Sequence, residues 1–305
     1  MKKFLIAGLT VATLFCGNIS ADAASYFMQG DAKGSSTPYG ENFSVGKYVQ
    51  SDDAKIYYEV YGKGEPILIL HGGGVGTPYE LGKNLDELKK NYKIIVMSTR
   101  GHGKSEIGHS EITWQQKVSD AVKVINEVTS EPVKIFSFSD GAYTAYKIAE
   151  ICPEKVERIV AVGAGTLHAG FFPAEMNFGD LEKFDEKFIA EQKKIRPEPE
   201  RWQEFMSDYM KFWNKQEFDK NVFEKINCPV MLIVGDEDDH APVVTVLAAH
   251  QMIKNSRLAV IPKAWHSAFN DNYKTFAAAF YPFINAKLDD LQPSKKVDYN
   301  NHAIF

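Results

Sequence analysis

The sequence predicts an α/β fold: a mostly parallel sheet with helices on both faces and a helical segment inserted late in the chain. Two observations carry this. Short apolar runs alternate with helical patterns of roughly 10–15 residues, the rhythm of βαβ units. From residue 168 to about residue 226 that rhythm stops, and charge-rich helical segments with large aromatics (Phe171, Phe172, Phe178, Trp202, Phe205, Tyr209, Phe212, Trp213) take its place.

The chain has 305 residues, and its N-terminus is set apart from the rest. Met1-Lys2-Lys3 is a short positive start, Phe4 to Phe15 is an apolar run, and Ala21-Asp22-Ala23 supplies small residues at A-x-A spacing. This is the pattern of a secretory signal peptide cut after Ala23. The run of about 12 apolar residues falls short of the roughly 20 that span a bilayer. Residues 1–23 are therefore expected to be removed, leaving an exported protein, periplasmic or secreted, with no stable membrane insertion. Residues 24–46, rich in Gly, Ser, Asp and Asn, form an extended, loose arm.

The elements then follow in order. Lys55 to Tyr61 alternates as a strand, and Pro66 to Leu70 (PILIL), bounded by Gly64 and Gly72, is a fully buried strand. Pro78 to Asn91 is an amphipathic helix, Tyr92 to Met97 a strand, and Trp114 to Val128 a helix with Val118, Ala121, Val122 and Ile125 on one face. Val133 to Phe138 is a strand, Gly141 to Ala149 a helix, and Val156 to Val162 a strand. After the inserted segment come the strand Pro229 to Val234, the helix Val243 to Met252, the strand Arg257 to Ile261 and the helix Tyr273 to Ala286. The core thus comprises residues 47–167 and 227–287, the cap 168–226, and a polar tail 288–305.

Composition narrows the function. The net charge is −5 with both signs interspersed, which favours neither nucleic acid nor anionic lipid as a partner. Cys152 and Cys228, the cysteines remaining after cleavage, are not spaced as a zinc site and read as buried thiols.

Four stretches fall just beyond the ends of buried strands, where ligands bind in open α/β sheets. His71-Gly72-Gly73-Gly74 lets the backbone approach a ligand and present N–H groups to it, as an oxyanion hole requires. Here His71 is assigned to holding the loop. Ser137-Phe138-Ser139-Asp140-Gly141 runs from strand to helix within one turn. A nucleophile on that turn needs small residues two before and two after it. Ser139 has Ser137 and Gly141 there; Ser137 would have Ile135, which is too large. Ser139 is the predicted nucleophile. The third stretch is Gly235-Asp236-Glu237-Asp238-Asp239, and the fourth is Ala264-Trp265-His266-Ser267. The chain order is Ser, then acid, then His.

From about Val49 to Ala286 the chain resembles the α/β-hydrolase family, in the group with a short helical cap. The resemblance implies an eight-stranded sheet. It selects Asp238 among the four acids, by its spacing from Gly235, and makes the loop Thr99 to Ser105 structural. It implies a serine esterase: Ser139 as nucleophile, His266 as base, Asp238 as the residue that orients the base, and the N–H groups of Asp140 and Gly73 as oxyanion donors. No metal or organic cofactor is implied. Trp202, Trp213 and Trp265 are the candidates for an apolar substrate pocket. The lead expectation is hydrolysis of a small carboxylic ester through an acyl-enzyme. Aminopeptidase, lactonase or carbon–carbon bond hydrolase of the same fold are alternatives. So is a non-catalytic small-molecule binder, against which the intact Ser, Asp and His argue.

Asp140 admits two explanations. An acid at a helix start is favoured by the helix dipole. The stretch Phe138-Ser139-Asp140-Gly141 also resembles the elbow of valacyclovir-hydrolase-like members, which implies a carboxylate that recognises a substrate amine.

Overall fold

A computed structural model describes residues 24–30 and 33–293. The expected signal peptide and the end of the tail lie outside the described residues. Eight strands, β1 (Lys47–Ser51), β2 (Ala54–Tyr61), β3 (Pro66–Leu70), β4 (Lys93–Met97), β5 (Val133–Phe138), β6 (Val156–Val162), β7 (Val230–Gly235) and β8 (Ser256–Ile261), form one sheet in the order β1-β2-β4-β3-β5-β6-β7-β8. The pairs β1–β2 and β2–β4 are antiparallel, and every other pair is parallel.

The helices are α1 (Gly82–Leu88), α2 (Trp114–Val128), α3 (Asp140–Ile151), α4 (Phe178–Phe184), α5 (Glu186–Ile195), α6 (Trp202–Asn214), α7 (Lys220–Phe223), α8 (Val243–Met252), α9 (Ala268–Asp271) and α10 (Tyr273–Ile284). The period-two alternation of a strand sorts the side chains between the two faces of the sheet. Leu68 and Leu70 of β3 and Ile95 and Met97 of β4 join α2, α3 and α8 in one core. Ile67, Ile69, Ile94 and Val96 point the other way, into a core shared with α1 and α10. Each such buried aliphatic contributes about 1.5–3 kcal/mol. Helices α4 to α7 all lie between β6 and β7, and their buried aromatics are continuous with the α2–α3 core.

Several boundaries differ from the sequence reading. Strand β1 carries no strong apolar pattern because it is a largely exposed antiparallel edge. The helix expected over Pro78 to Asn91 divides into a 3-10 turn, Pro78–Leu81, and α1, which ends at Leu88. The arm is docked rather than loose. Tyr39 is fully buried, and the N–H groups of Gly40 and Asn42 donate to the Glu59 carboxylate at 2.9 and 2.7 Å. The arm also reaches the cap: Ser25 Oγ donates to Glu191 at 2.7 Å, and Gln192 donates to Glu41 at 3.0 Å. Cys152 and Cys228 are free thiols.

The loop after β4 spends its charge internally. Arg100 donates to Asp120 from Nε at 2.9 Å, to Asp53 from Nη1 at 2.7 Å and to the Ser51 carbonyl at 2.9 Å. It therefore ties the β1–β2 hairpin to α2.

Candidate active site

The β5–α3 junction sets the geometry. Ser139 sits at φ 50°, ψ −118°, a backbone conformation that few non-glycine residues adopt. Its N–H donates to the Val162 carbonyl at 2.8 Å, which anchors the turn to β6. The close approach of α3 to β3 leaves no room at Gly141, where a Cβ would lie 2.5 Å from the Leu70 carbonyl oxygen. Ser137 is fully buried, and its hydroxyl donates to the Val160 carbonyl at 2.9 Å. It is a small spacer inside the sheet, and Ser139 alone projects from the turn.

His266 and Asp238 reach Ser139 from the loops after β8 and β7. Ser139 Oγ is 2.9 Å from His266 Nε2, and His266 Nδ1 is 2.9 Å from Asp238 Oδ2. The carboxylate can only accept, so Nδ1 carries the proton and Nε2 is left to accept from the serine hydroxyl. Asp238 is held in turn by the N–H groups of His240 and Ala241, each at 2.9 Å from Oδ1, and its side chain is fully buried. Of the other acids in that loop, Asp236 accepts from the Ala264 N–H and Asp239 pairs with the exposed His240 ring. The Phe138 and His240 rings both lie 4.8 Å from the His266 ring, centroid to centroid, and fix its plane. Asp238, His240 and His266 could each offer a ligand atom to a metal ion, all within 4.8 Å of one another. The Nδ1 of His266 is already committed to Asp238.

Gly163, just after β6, was not singled out by sequence reasoning. It has φ +65°, and a Cβ there would lie 2.8 Å from His266 Cε1 and 3.3 Å from Asp238 Oδ2. The space occupied by the imidazole exists because this residue has no side chain.

The glycine loop is built to expose N–H groups. His71 is fully buried, and burial pushes it down to about 4, so it is neutral. Its Nδ1 donates to the Gly72 carbonyl at 2.6 Å, and its Nε2 accepts from the Thr99 N–H at 3.1 Å. The Gly72 N–H donates to Glu80 at 2.8 Å, while burial pushes the Glu80 carboxyl up to about 8. Burial thus opposes the charged form of both side chains that hold the loop. The N–H groups of Gly73 and Asp140 have no acceptor among the described residues. A Cβ on Gly73 would lie 2.8 Å from Asp140 Cβ and 1.6 Å from the Tyr209 hydroxyl. Burial, and then the charge of Asp140, pushes the Tyr209 phenol well above its ordinary value, so it remains a neutral O–H.

The cap contacts differ from those expected. Trp202 stacks on the Arg196 guanidinium at 3.7 Å and on Phe178 at 4.8 Å, inside the cap. Trp213 packs against Trp114, Tyr143 and Phe172. Trp265 is 58% exposed, and its backbone N–H donates to Asp271. The side chains of α6 that meet the glycine loop are Tyr209 and Met206, the latter 3.8 Å from where a Cβ on Gly74 would lie. Which residues of α6 reach the loop depends on how the helix docks.

Asp140 has a partner that the sequence reading did not name. Lys117 of α2 holds its carboxylate at 2.9 Å, and the two side chains are 9% and 3% exposed. One carboxylate oxygen is thus paired within the protein, while Oδ1 has no hydrogen-bond partner among the described residues.

The Alpha/beta hydrolase family model matches residues 67–279, and the chain belongs to that family. It is a hydrolase of that fold. It is 23% identical over 277 residues to the 2-hydroxy-6-oxo-6-(2'-aminophenyl)hexa-2,4-dienoic acid hydrolase of Metapseudomonas resinovorans, spanning 82% of this chain and 94% of the relative. It is 21% identical over 269 residues to the serine hydrolase BPHL of Homo sapiens, spanning 81% of this chain and 89% of the relative. Among solved structures, a serine hydrolase involved in carbazole degradation (CarC enzyme) superposes with a TM-score of 0.66 at 20% identity, over 80% of this chain and 99% of its own.

Gly163 gives a direct test of the site geometry. Alanine there would strain a left-handed backbone by about 1–2 kcal/mol and push on the imidazole. Gly163→Ala is expected to lower kcat on p-nitrophenyl acetate by roughly ten- to a hundred-fold, through misplacement of His266. Steady-state kinetics beside a thermal melt check this. Unchanged kcat in a folded variant would show that the imidazole does not need that space.

Proposed function

We propose that the protein is a serine hydrolase that cleaves a small carboxylic ester through an acyl-enzyme on Ser139. The observation that carries this reading is the hydrogen-bonded row of Ser139, His266 and Asp238 at 2.9 Å per step. In the proposed reaction, Ser139 Oγ attacks the ester carbonyl as His266 Nε2 takes the hydroxyl proton. Asp238 keeps the ring in the required tautomer and stabilises the imidazolium. The carbonyl oxygen becomes an oxyanion held by the N–H groups of Asp140 and Gly73, and donors aimed at that position favour the transition state over the planar substrate. Collapse breaks the ester C–O bond, and the imidazolium returns its proton to the leaving alcohol. Water, deprotonated by the same His266, then attacks the acyl-enzyme and releases the acid and free Ser139.

A second reading is carbon–carbon bond hydrolysis. The similarity to the Metapseudomonas resinovorans hydrolase favours it, because the dienoic acid in that enzyme's name contains no ester. The same serine, base and oxyanion donors would serve, with a carbon leaving group protonated in place of an alcohol.

We also propose that the protein is exported. The supporting observations are the positive start, the apolar run and the A-x-A site ending at Ala23. N-terminal sequencing of the protein from its native host is expected to begin at Ala24. A chain beginning at Met1 would contradict it.

The activity is tested by a hydrolysis screen of p-nitrophenyl acyl esters, amino-acyl amides, lactones and a 2-hydroxy-6-oxo-dienoic acid. Wild type is expected to turn over short acyl esters fastest. Ser139→Ala and His266→Ala should each lower kcat by at least about 10³-fold, with little further loss in the double variant, because such groups act as a unit. Ester turnover near the wild-type rate in Ser139→Ala would overturn the assignment.

A further inference from the structure

We infer that Lys117 sets the charge of the acyl pocket and makes this hydrolase select against acyl groups that carry a cation. The inference rests on the oxyanion site proposed above and extends it to substrate class. Asp140 directly follows Ser139, and its Cβ lies against Gly73, so a carboxylate stands beside both N–H groups assigned to the oxyanion. A buried carboxylate at that place would repel the developing oxyanion if it were alone, since opposing or like charges interact strongly where water is excluded. It is not alone. Lys117 Nζ sits 2.9 Å from Asp140 Oδ2, and both side chains are at least nine-tenths buried.

The surroundings keep the lysine in place. Its ammonium lies 5.9 Å from the Trp114 ring centroid and 5.9 Å from that of Tyr209. The adjoining cavity, whose lining includes Lys117, Tyr209 and the mutually paired Arg100 and Asp120, is about 20 Å³, room for about one water. The pair is therefore desolvated and carries no net charge. A substrate ammonium entering beside it meets a carboxylate whose charge is already matched, and it gains little for the hydration it gives up. An uncharged acyl group meets no such cost. Lys117 thus occupies the electrostatic place that a cationic substrate would need.

The consequence is a specificity that one substitution should invert. Lys117→Met leaves Asp140 as a bare buried carboxylate, which disfavours the oxyanion of a neutral ester and attracts a cationic one. The probes are ethyl propionate and L-alanine ethyl ester, which differ by one ammonium group, and the readout is the ratio of their kcat/KM values. Wild type is expected to prefer the propionate. In Lys117→Met the ratio of alanine ester to propionate should rise at least tenfold, with the propionate rate reduced. Lys117→Arg should keep the wild-type ratio. In Lys117→Met with Asp140→Asn, where no charge remains, the propionate rate should recover and the gain for the alanine ester should vanish, a rescue that a merely structural lysine would not show. If Lys117→Met does not fold, Asp140→Asn alone decides: it leaves the ammonium unmatched, so the ratio should fall below that of wild type. A ratio unchanged within about twofold in the folded variant overturns the inference. Failure of the underlying chemistry would show separately, as turnover of either ester that survives Ser139→Ala.

Discussion

The site depends on one strained turn. Ser139 holds a positive φ between the buried end of β5 and the first turn of α3. Such a backbone costs about 1–3 kcal/mol and persists only where the surroundings over-determine it. Here they do: the Ser139 N–H is fixed to β6, Ser137 and Gly141 are small enough for the strand and helix to close up, and β5 is buried along its whole length. The turn lifts the hydroxyl out of the sheet and leaves the Asp140 N–H without an acceptor among the described residues. The loops after β7 and β8, further along the same edge, then bring Asp238 and His266 to it.

Burial opposes the charged form of both His71 and Glu80, which hold the glycine loop. Arg100 is matched by Asp120 and Asp53, and Asp140 by Lys117. The backbone N–H groups of Gly73 and Asp140 are the donors nearest the position where the oxyanion would form.

Much of this was legible in the sequence, for definite reasons. Buried parallel strands are continuous apolar runs, so PILIL and VMLIV stand out, and the small residues flanking Ser139 distinguish it from Ser137 without any structure. The choice of Asp238 among four adjacent acids came from family spacing, since composition gives all four the same standing. What escaped depends on contacts remote in sequence. Gly163 is legible only as a glycine after a strand until His266 is seen beside it. Lys117 lies 23 residues before Asp140 on a helix whose apolar face hides it, and nothing local announces the pair. Which cap side chains reach the glycine loop is set by the register of α6, which brings Tyr209 and Met206 there. Strand β1 escaped because an exposed edge has no need of an apolar pattern.

The central claim is that Ser139, and not its neighbour two residues away, is the activated hydroxyl. Mass spectrometry after treatment with a fluorophosphonate tests it most directly, because Ser137 and Ser139 lie in one tryptic peptide, Ile135 to Lys147, and fragment ions separate them. The account predicts a single phosphonyl group on Ser139, with labelling slowed strongly in His266→Ala. A label on Ser137, or an active enzyme that takes no label at all, would contradict it.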